Sequence, residues 1–180
     1  MRVCVYIDGA NMFYAQKDLG WLFDWVKIKK LVRKRFNCDS FCFYTPLKPK
    51  EDRQSAQIER FKKWGFRIFT KTPKLIKGEL KANFDVEIST DIILSLLDGW
   101  KGNIVIFSGD SDFAYLVKVL KRRFKRKVYI YSTKKFLSWE LKYLADEYLL
   151  LENFKEEIYL KDWKRRLLTR VSSGSKIQSR

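Results

Sequence analysis

Two aspartates stand one residue apart in Ser108-Gly109-Asp110-Ser111-Asp112, directly after the apolar run Ile104 to Phe107. Asp8 follows a similar run, Val3 to Ile7, and Asp85 lies where "KANFDVEISTDIIL" turns helical. Asp91 comes six residues later and would not share a helix face with Asp85. Carboxylates gathered together repel unless protons or cations neutralise them. The chain has no histidine, which removes the commonest general base and every Ser-His or Cys-His nucleophile pair. Mg²⁺ or Mn²⁺ suits an all-oxygen ligand set, would acidify a bound water, and would neutralise charge on a phosphodiester. Helix capping is the simpler role for Asp110 or Asp112, as a turn before Gly9 is for Asp8 and a cap is for Asn11.

The elements that must position these groups are legible as strands alternating with helices. Val3 to Ile7, Phe41 to Tyr44, Phe66 to Thr70, Ile104 to Phe107 and Val128 to Tyr131 read as buried strands, with Leu149 to Leu151 as a last short one. Helical stripes lie between them. Trp25, Ile28, Leu31 and Val32 follow a cap at Asp24; Ile58, Phe61 and Trp64 are closed by Gly65. Ile88, Ile92, Leu96 and Leu97 form a third stripe, and Phe113, Leu116, Val117 and Leu120 a fourth. This alternation predicts an α/β domain whose mostly parallel sheet is covered on both faces. In such a sheet ligands bind beyond the carboxyl ends of the strands, where Asp8, Asp110 and Asp112 fall. Phe154 to Leu168 reads as a basic terminal helix and residues 171–180 as a disordered tail.

Thirty-eight Lys and Arg against 21 Asp and Glu leave the 180-residue chain at +17. That field favours polyanions, nucleic acid first. No apolar run reaches the roughly 20 residues of a membrane span, so a soluble, cytoplasmic protein is expected. Cys4, Cys38 and Cys42 read as reduced thiols; Cys38 and Cys42 would be half of a zinc site, with no histidine and one other cysteine to complete it.

Four blocks, "YIDGANMFYAQKDLGW", "KANFDVEISTDIIL", "IFSGDSDFAYLVKVL" and "SWELKYLADEYLLL", occur in the order expected of NYN domains, and the chain resembles the LabA-like branch of these PIN-like nucleases. The resemblance covers roughly residues 3 to 151. It implies a PIN-like three-layer α/β/α fold over residues 1–152, a Mg²⁺ or Mn²⁺ ion in an acidic pocket, and cleavage of RNA. Carried over by position, Asp8, Asp85, Asp110 and Asp112 would hold the metal, with Asp91 a further acidic position. Asn11 would line the pocket, Ser108 and Ser111 would support it, and Ser138 and Asp146 would be structural. Where relatives often have Lys-Gly-x-Asp, this chain has Lys81-Ala82-Asn83-Phe84-Asp85, a longer turn without glycine.

Two basic runs, Lys27 to Arg35 and Lys118 to Lys127, contain no acid. Either they solubilise a helix face or they track phosphates, which makes Lys30, Arg33, Lys81, Arg122 and Arg123 the candidate RNA contacts. Tyr14 and Trp21 are the candidates for base stacking. Two other functions compete with a metal-dependent endoribonuclease: a non-catalytic RNA-binding or regulatory module, and a phosphatase with an aspartate nucleophile. DNA as substrate and a homodimer as assembly stay open.

Overall fold

Successive side chains of a strand point to opposite faces of its sheet, and strand β1 (Arg2–Asp8) is apolar on both. Val3, Val5 and Ile7 enter one core, while Cys4 and Tyr6 enter another. A strand buried on both faces needs helices on both sides, and the computed structural model has that three-layer form. It describes residues 1–47, 52–76 and 79–161, and within them every side chain except those of 52–54, 75, 76 and 79–81.

After β1 come α1 (Gly9–Leu19), α2 (Trp25–Arg35), β2 (Asn37–Pro46), α3 (Asp52–Lys63), β3 (Arg67–Lys71), β4 (Lys74–Ile76), β5 (Glu79–Lys81) and α4 (Asp85–Leu97). The rest of the chain adds β6 (Asn103–Phe107), a 3₁₀ turn (Ser111–Phe113), α5 (Ala114–Arg122), β7 (Val128–Ser132), α6 (Trp139–Leu144), β8 (Glu147–Leu150), a second 3₁₀ turn (Leu151–Phe154) and α7 (Lys155–Ile158). The main sheet has the order β3-β2-β1-β6-β7-β8. All of its pairings are parallel. From β1 the chain builds outward to β2 and β3 on one side, then returns to lay β6, β7 and β8 on the other. The order thus reverses between β1 and β6, where the strand ends leave a crevice.

One core takes Met12 and Ala15 of α1, Ile28, Leu31 and Val32 of α2, Phe61 of α3 and Ile158 of α7. The opposite core takes Ile88, Ile92 and Leu96 of α4, Leu116, Val117 and Leu120 of α5 and Leu141 of α6. Leu97, read as part of the third stripe, is 67% exposed instead. Asp8 has the same parity as Cys4 and Tyr6, so it emerges on the α4–α5 side. The Asp24 cap forms as expected: its Oδ1 accepts from the Val26 and Lys27 amides at 3.1 Å each.

Several elements depart from the sequence reading. The β4–β5 hairpin stands outside the main sheet as an antiparallel pair. Helix α1 begins at Gly9, so Asn11 sits inside it and Asp8 is the cap. The terminal helix expected from Phe154 stops at Ile158, because Tyr159 turns extended and bridges Phe23. Mutual main-chain bonds from the Asp24 amide to Ile158 and from the Leu160 amide to Leu22 hold that crossing. Residues 162–180, with most of the expected basic helix and the whole polar tail, lie outside the described residues. Trp21 is core: it is buried, with its ring edge-on to Phe23 and Tyr159, and offers no open face for a base. No helix among the described residues is long and apolar enough to cross a membrane.

Candidate metal centre

The carboxyl edge of β1 and β6 is built from short polar turns that bond to one another. Asp8 ends β1, and its Oδ1 accepts from the amides of Ala10 and Asn11 at 3.1 Å each. Its Oδ2 accepts from the Ser108 hydroxyl at 3.3 Å. Ser108 Oγ in turn accepts from the Asp110 amide at 3.2 Å, and Asn11 Oδ1 accepts from the Gly109 amide at 3.2 Å. The start of α1 and the turn after β6 are therefore tied twice, side chain to side chain from Ser108 to Asp8 and backbone to side chain from Gly109 to Asn11.

Two glycines make this closeness sterically available. A Cβ on Gly9 would lie 2.4 Å from the Tyr44 carbonyl oxygen, and one on Gly109 would lie 2.0 Å from that of Phe136. Gly109 also accepts from the Ser138 amide at 2.9 Å, which fixes the start of α6 against the same turn.

Asp85 joins them as the first residue of α4, its amide donating to Asn83 Oδ1 at 2.7 Å. Asp85, Asp110 and Asp112 each offer a carboxylate oxygen, and these oxygens all lie within 4.8 Å of one another. Asp85 and Asp110 are half-buried and Asp112 is exposed. Asp85 Oδ2 is buried without a hydrogen-bond partner among the described residues. A buried oxygen left unpaired is costly, and a hard cation shared by three carboxylates would satisfy it. The donor set thus fits a divalent ion bound through oxygen.

The electrostatics carry the same sign. Burial, then the like charges of Asp8, Asp110 and Asp112, push the Asp85 carboxyl up to about 6 against the pull of Asn83. Asp8 is raised as well, mainly by burial, with its three hydrogen bonds opposing and Asp110 adding to the rise. Unfolded, an aspartate titrates near 3.9. Between about pH 4 and 6 the folded chain therefore keeps an Asp85 proton that the unfolded chain has lost, so this group makes stability fall as pH rises through that window. Asp85 is half-exposed and solvent screens the effect, so about 1 kcal/mol is expected. Denaturant titrations of wild type and Asp85→Asn should diverge by that amount in favour of the variant between pH 4 and 7. A constant difference would contradict the repulsion.

The structure sorts the residues read from the sequence. Asp8 is not among the three converging carboxylates; it caps α1 and accepts from the Ser108 hydroxyl. Asp110 both converges and caps, its Oδ1 accepting from the Asp112 amide at 3.1 Å. Asp91 turns away, accepting from the buried Tyr44 hydroxyl at 2.7 Å. Ser108 is buried within the network, whereas Ser111 is exposed at the start of the 3₁₀ turn. Ser138 caps α6 at the Leu141 amide, and Asp146 accepts from the Val128 amide.

Among the candidate RNA contacts, Arg33 lies near the end of α2, which leads to the amino edge of the sheet opposite the acidic group, and Lys30 lies mid-helix. Much of that basic run is engaged elsewhere. Lys29 is buried and donates to the carbonyls of Trp64 and Gly65, while Lys34 and Arg35 pair with Glu157 and Glu147. Arg122 and Arg123 are exposed at the end of α5. Lys81 belongs to β5, but its side chain lies outside the described part. Tyr14 is exposed, edge-on to an equally exposed Phe13. The sequence reading missed Asn83, Gly109 and the exposed rings Tyr115, Trp139 and Tyr143. Asn two residues ahead of an acidic helix start was the available signal for the first.

The comparisons with known proteins agree with this architecture. The low amplitude and bright protein LabA of Synechococcus elongatus is 29% identical over 166 residues, which span 87% of each chain. The crystal structure of a protein of unknown function from Vibrio parahaemolyticus superposes with a TM-score of 0.76 at 21% identity, covering 88% of this chain and 96% of that one. The NYN domain family model matches residues 2–152. With that match over most of its length, the chain belongs to the NYN domain family.

Proposed function

We propose that this protein is a Mg²⁺- or Mn²⁺-dependent endoribonuclease. The observation that carries the reading is the convergence of carboxylate oxygens from Asp85, Asp110 and Asp112, with Asp85 Oδ2 buried and unpaired, in a family whose members are typically nucleases. A bound divalent ion supplies charge neutralisation at the phosphodiester and acidifies water for attack. The chain's own part is positional. Asp85, Asp110 and Asp112 would hold the cation; Ser108 and Asn11 lock the turn that carries two of them; Asp8 adds negative charge nearby and fixes Ser108. The Asp85 carboxyl, pushed up to about 6, would have to be ionised to hold a cation, so cation affinity should rise with pH across that range.

A labelled RNA should be cut in Mn²⁺ and spared in EDTA. Salt-sensitive RNA binding with no cleavage in any divalent ion would instead identify a non-catalytic RNA-binding module.

A further inference from the structure

A groove of about 450 Å³ runs between α4 and α5, and Asp112 of the acidic group stands in its wall. Ile93 and Leu94 line it from α4, with Tyr115, Leu116, Val119 and Phe124 opposite. Leu94 and Tyr115 are 49% and 77% exposed, so an aromatic lip and an apolar wall face solvent three residues beyond the last carboxylate. Beside the lip the outward ridge of α5 is cationic: Tyr115, Lys118 and Arg122 stand at i, i+3 and i+7, all exposed. Over those seven residues the ridge rises about 10 Å, room for more than one phosphate of an extended strand. Helix α5 carries no acid.

A solubilising face has no need of an aromatic lip or an apolar trough. An apolar trough alone does not explain the cations on the adjoining ridge of α5. The two together match a single nucleic-acid strand, whose bases seek apolar and aromatic surface while its phosphates seek charge. A duplex keeps its bases stacked and paired, so the trough would gain nothing from it. Ser89 and Thr90 in the α4 wall add hydroxyls of the kind a ribose 2′-OH can bond.

We infer that the α4–α5 groove binds an unpaired stretch of the RNA strand next to the cleaved bond, with Tyr115 stacking a base and Lys118 and Arg122 holding phosphates. This deepens the endoribonuclease reading and rests on it for the cleaved bond beside the groove. The site would make the protein select single-stranded RNA without reading sequence.

Binding is measured separately from cutting, by fluorescence anisotropy of a labelled single-stranded RNA in EDTA, with cleavage assayed in Mn²⁺. Tyr115→Ala, at an exposed ring, should weaken binding about tenfold or more. Lys118→Ala with Arg122→Ala should lower the slope of log affinity against log salt by about 1.4. Matched duplex RNA should bind more weakly than the single strand, as should DNA of the same sequence. Wild-type binding by Tyr115→Ala overturns the groove, and so does equal affinity for duplex; equal affinity for DNA overturns RNA as its occupant. A fall in oligomer size on Tyr115→Ala in sedimentation also overturns it, since the groove would then be an interface between copies. The two readings fail separately: oligonucleotide binding that depends on Tyr115 with no cleavage in any divalent ion keeps the groove and removes the nuclease. Cleavage undiminished in Tyr115→Ala does the reverse.

Discussion

Asp110→Asn is expected to lower Mn²⁺-dependent RNA cleavage by about a thousandfold while leaving the protein folded. The size follows from the several kcal/mol of transition-state charge that a positioned cation stabilises, at tenfold per 1.36 kcal/mol. Asparagine keeps the capping oxygen that accepts from the Asp112 amide, and Asn ranks with Asp at caps, so the unfolding midpoint should hardly move. Asp110→Ala removes ligand and cap together and should cost about 1 kcal/mol besides. Rate constants and denaturation curves on the same preparations check both halves. Cleavage that survives in Asp110→Asn and in the Asp8→Asn, Asp110→Asn double variant would remove the acidic group from the chemistry.

Gly109→Ala should be more damaging to the fold than any single aspartate change at the site. Its Cβ would lie 2.0 Å from the Phe136 carbonyl oxygen and 2.6 Å from Ser132 Oγ. The first is backbone, so the loop between β7 and α6 or the turn after β6 must move. Moving the turn strains the bonds from Gly109 to Asn11 and Ser138 and carries Asp110 and Asp112 with it. A loss of about 3 kcal/mol is expected, the upper end for forced overpacking, or about 6–12 °C in melting temperature. Thermal unfolding with and without Mn²⁺ tests this: stabilisation by the ion should shrink with the stability. An unchanged melting temperature would show that the loop yields freely.

The central sheet was legible because strands buried on both faces are short unbroken apolar runs, and Val3 to Ile7 or Ile104 to Phe107 admit little else. The β4–β5 hairpin was not, because strands of three residues leave no period to detect. Helix α1 buries only Gly9, Met12 and Ala15, too thin a stripe to stand out from a polar segment. The helix expected from Phe154 breaks at Tyr159, where the chain bridges Phe23, 136 positions away; no local pattern marks that pairing. At the candidate site, residue type singled out the aspartates as candidates, and geometry then divided them. Asp8 is drawn into capping by two adjacent amides, a local bond that competes with outward ligation. Lys29 looked like one more member of a basic run; its carbonyl partners at Trp64 and Gly65 lie 35 and 36 residues on, beyond any local pattern.

The hydrogen bond from Tyr44 to Asp91 has a counterpart one turn later, where the Tyr6 hydroxyl meets Ser95 Oγ at 3.3 Å. Both fasten α4 to the sheet, so the helix that carries Asp85 cannot easily slide back from Asp110 and Asp112. On the proposed assignment this stiffness becomes a gauge of ionic radius. Bond lengths of about 2.1 Å suit Mg²⁺, whereas Ca²⁺ asks for longer bonds, more ligands and a site that can spread. On that assignment a pinned α4 would sort ions of equal charge by size.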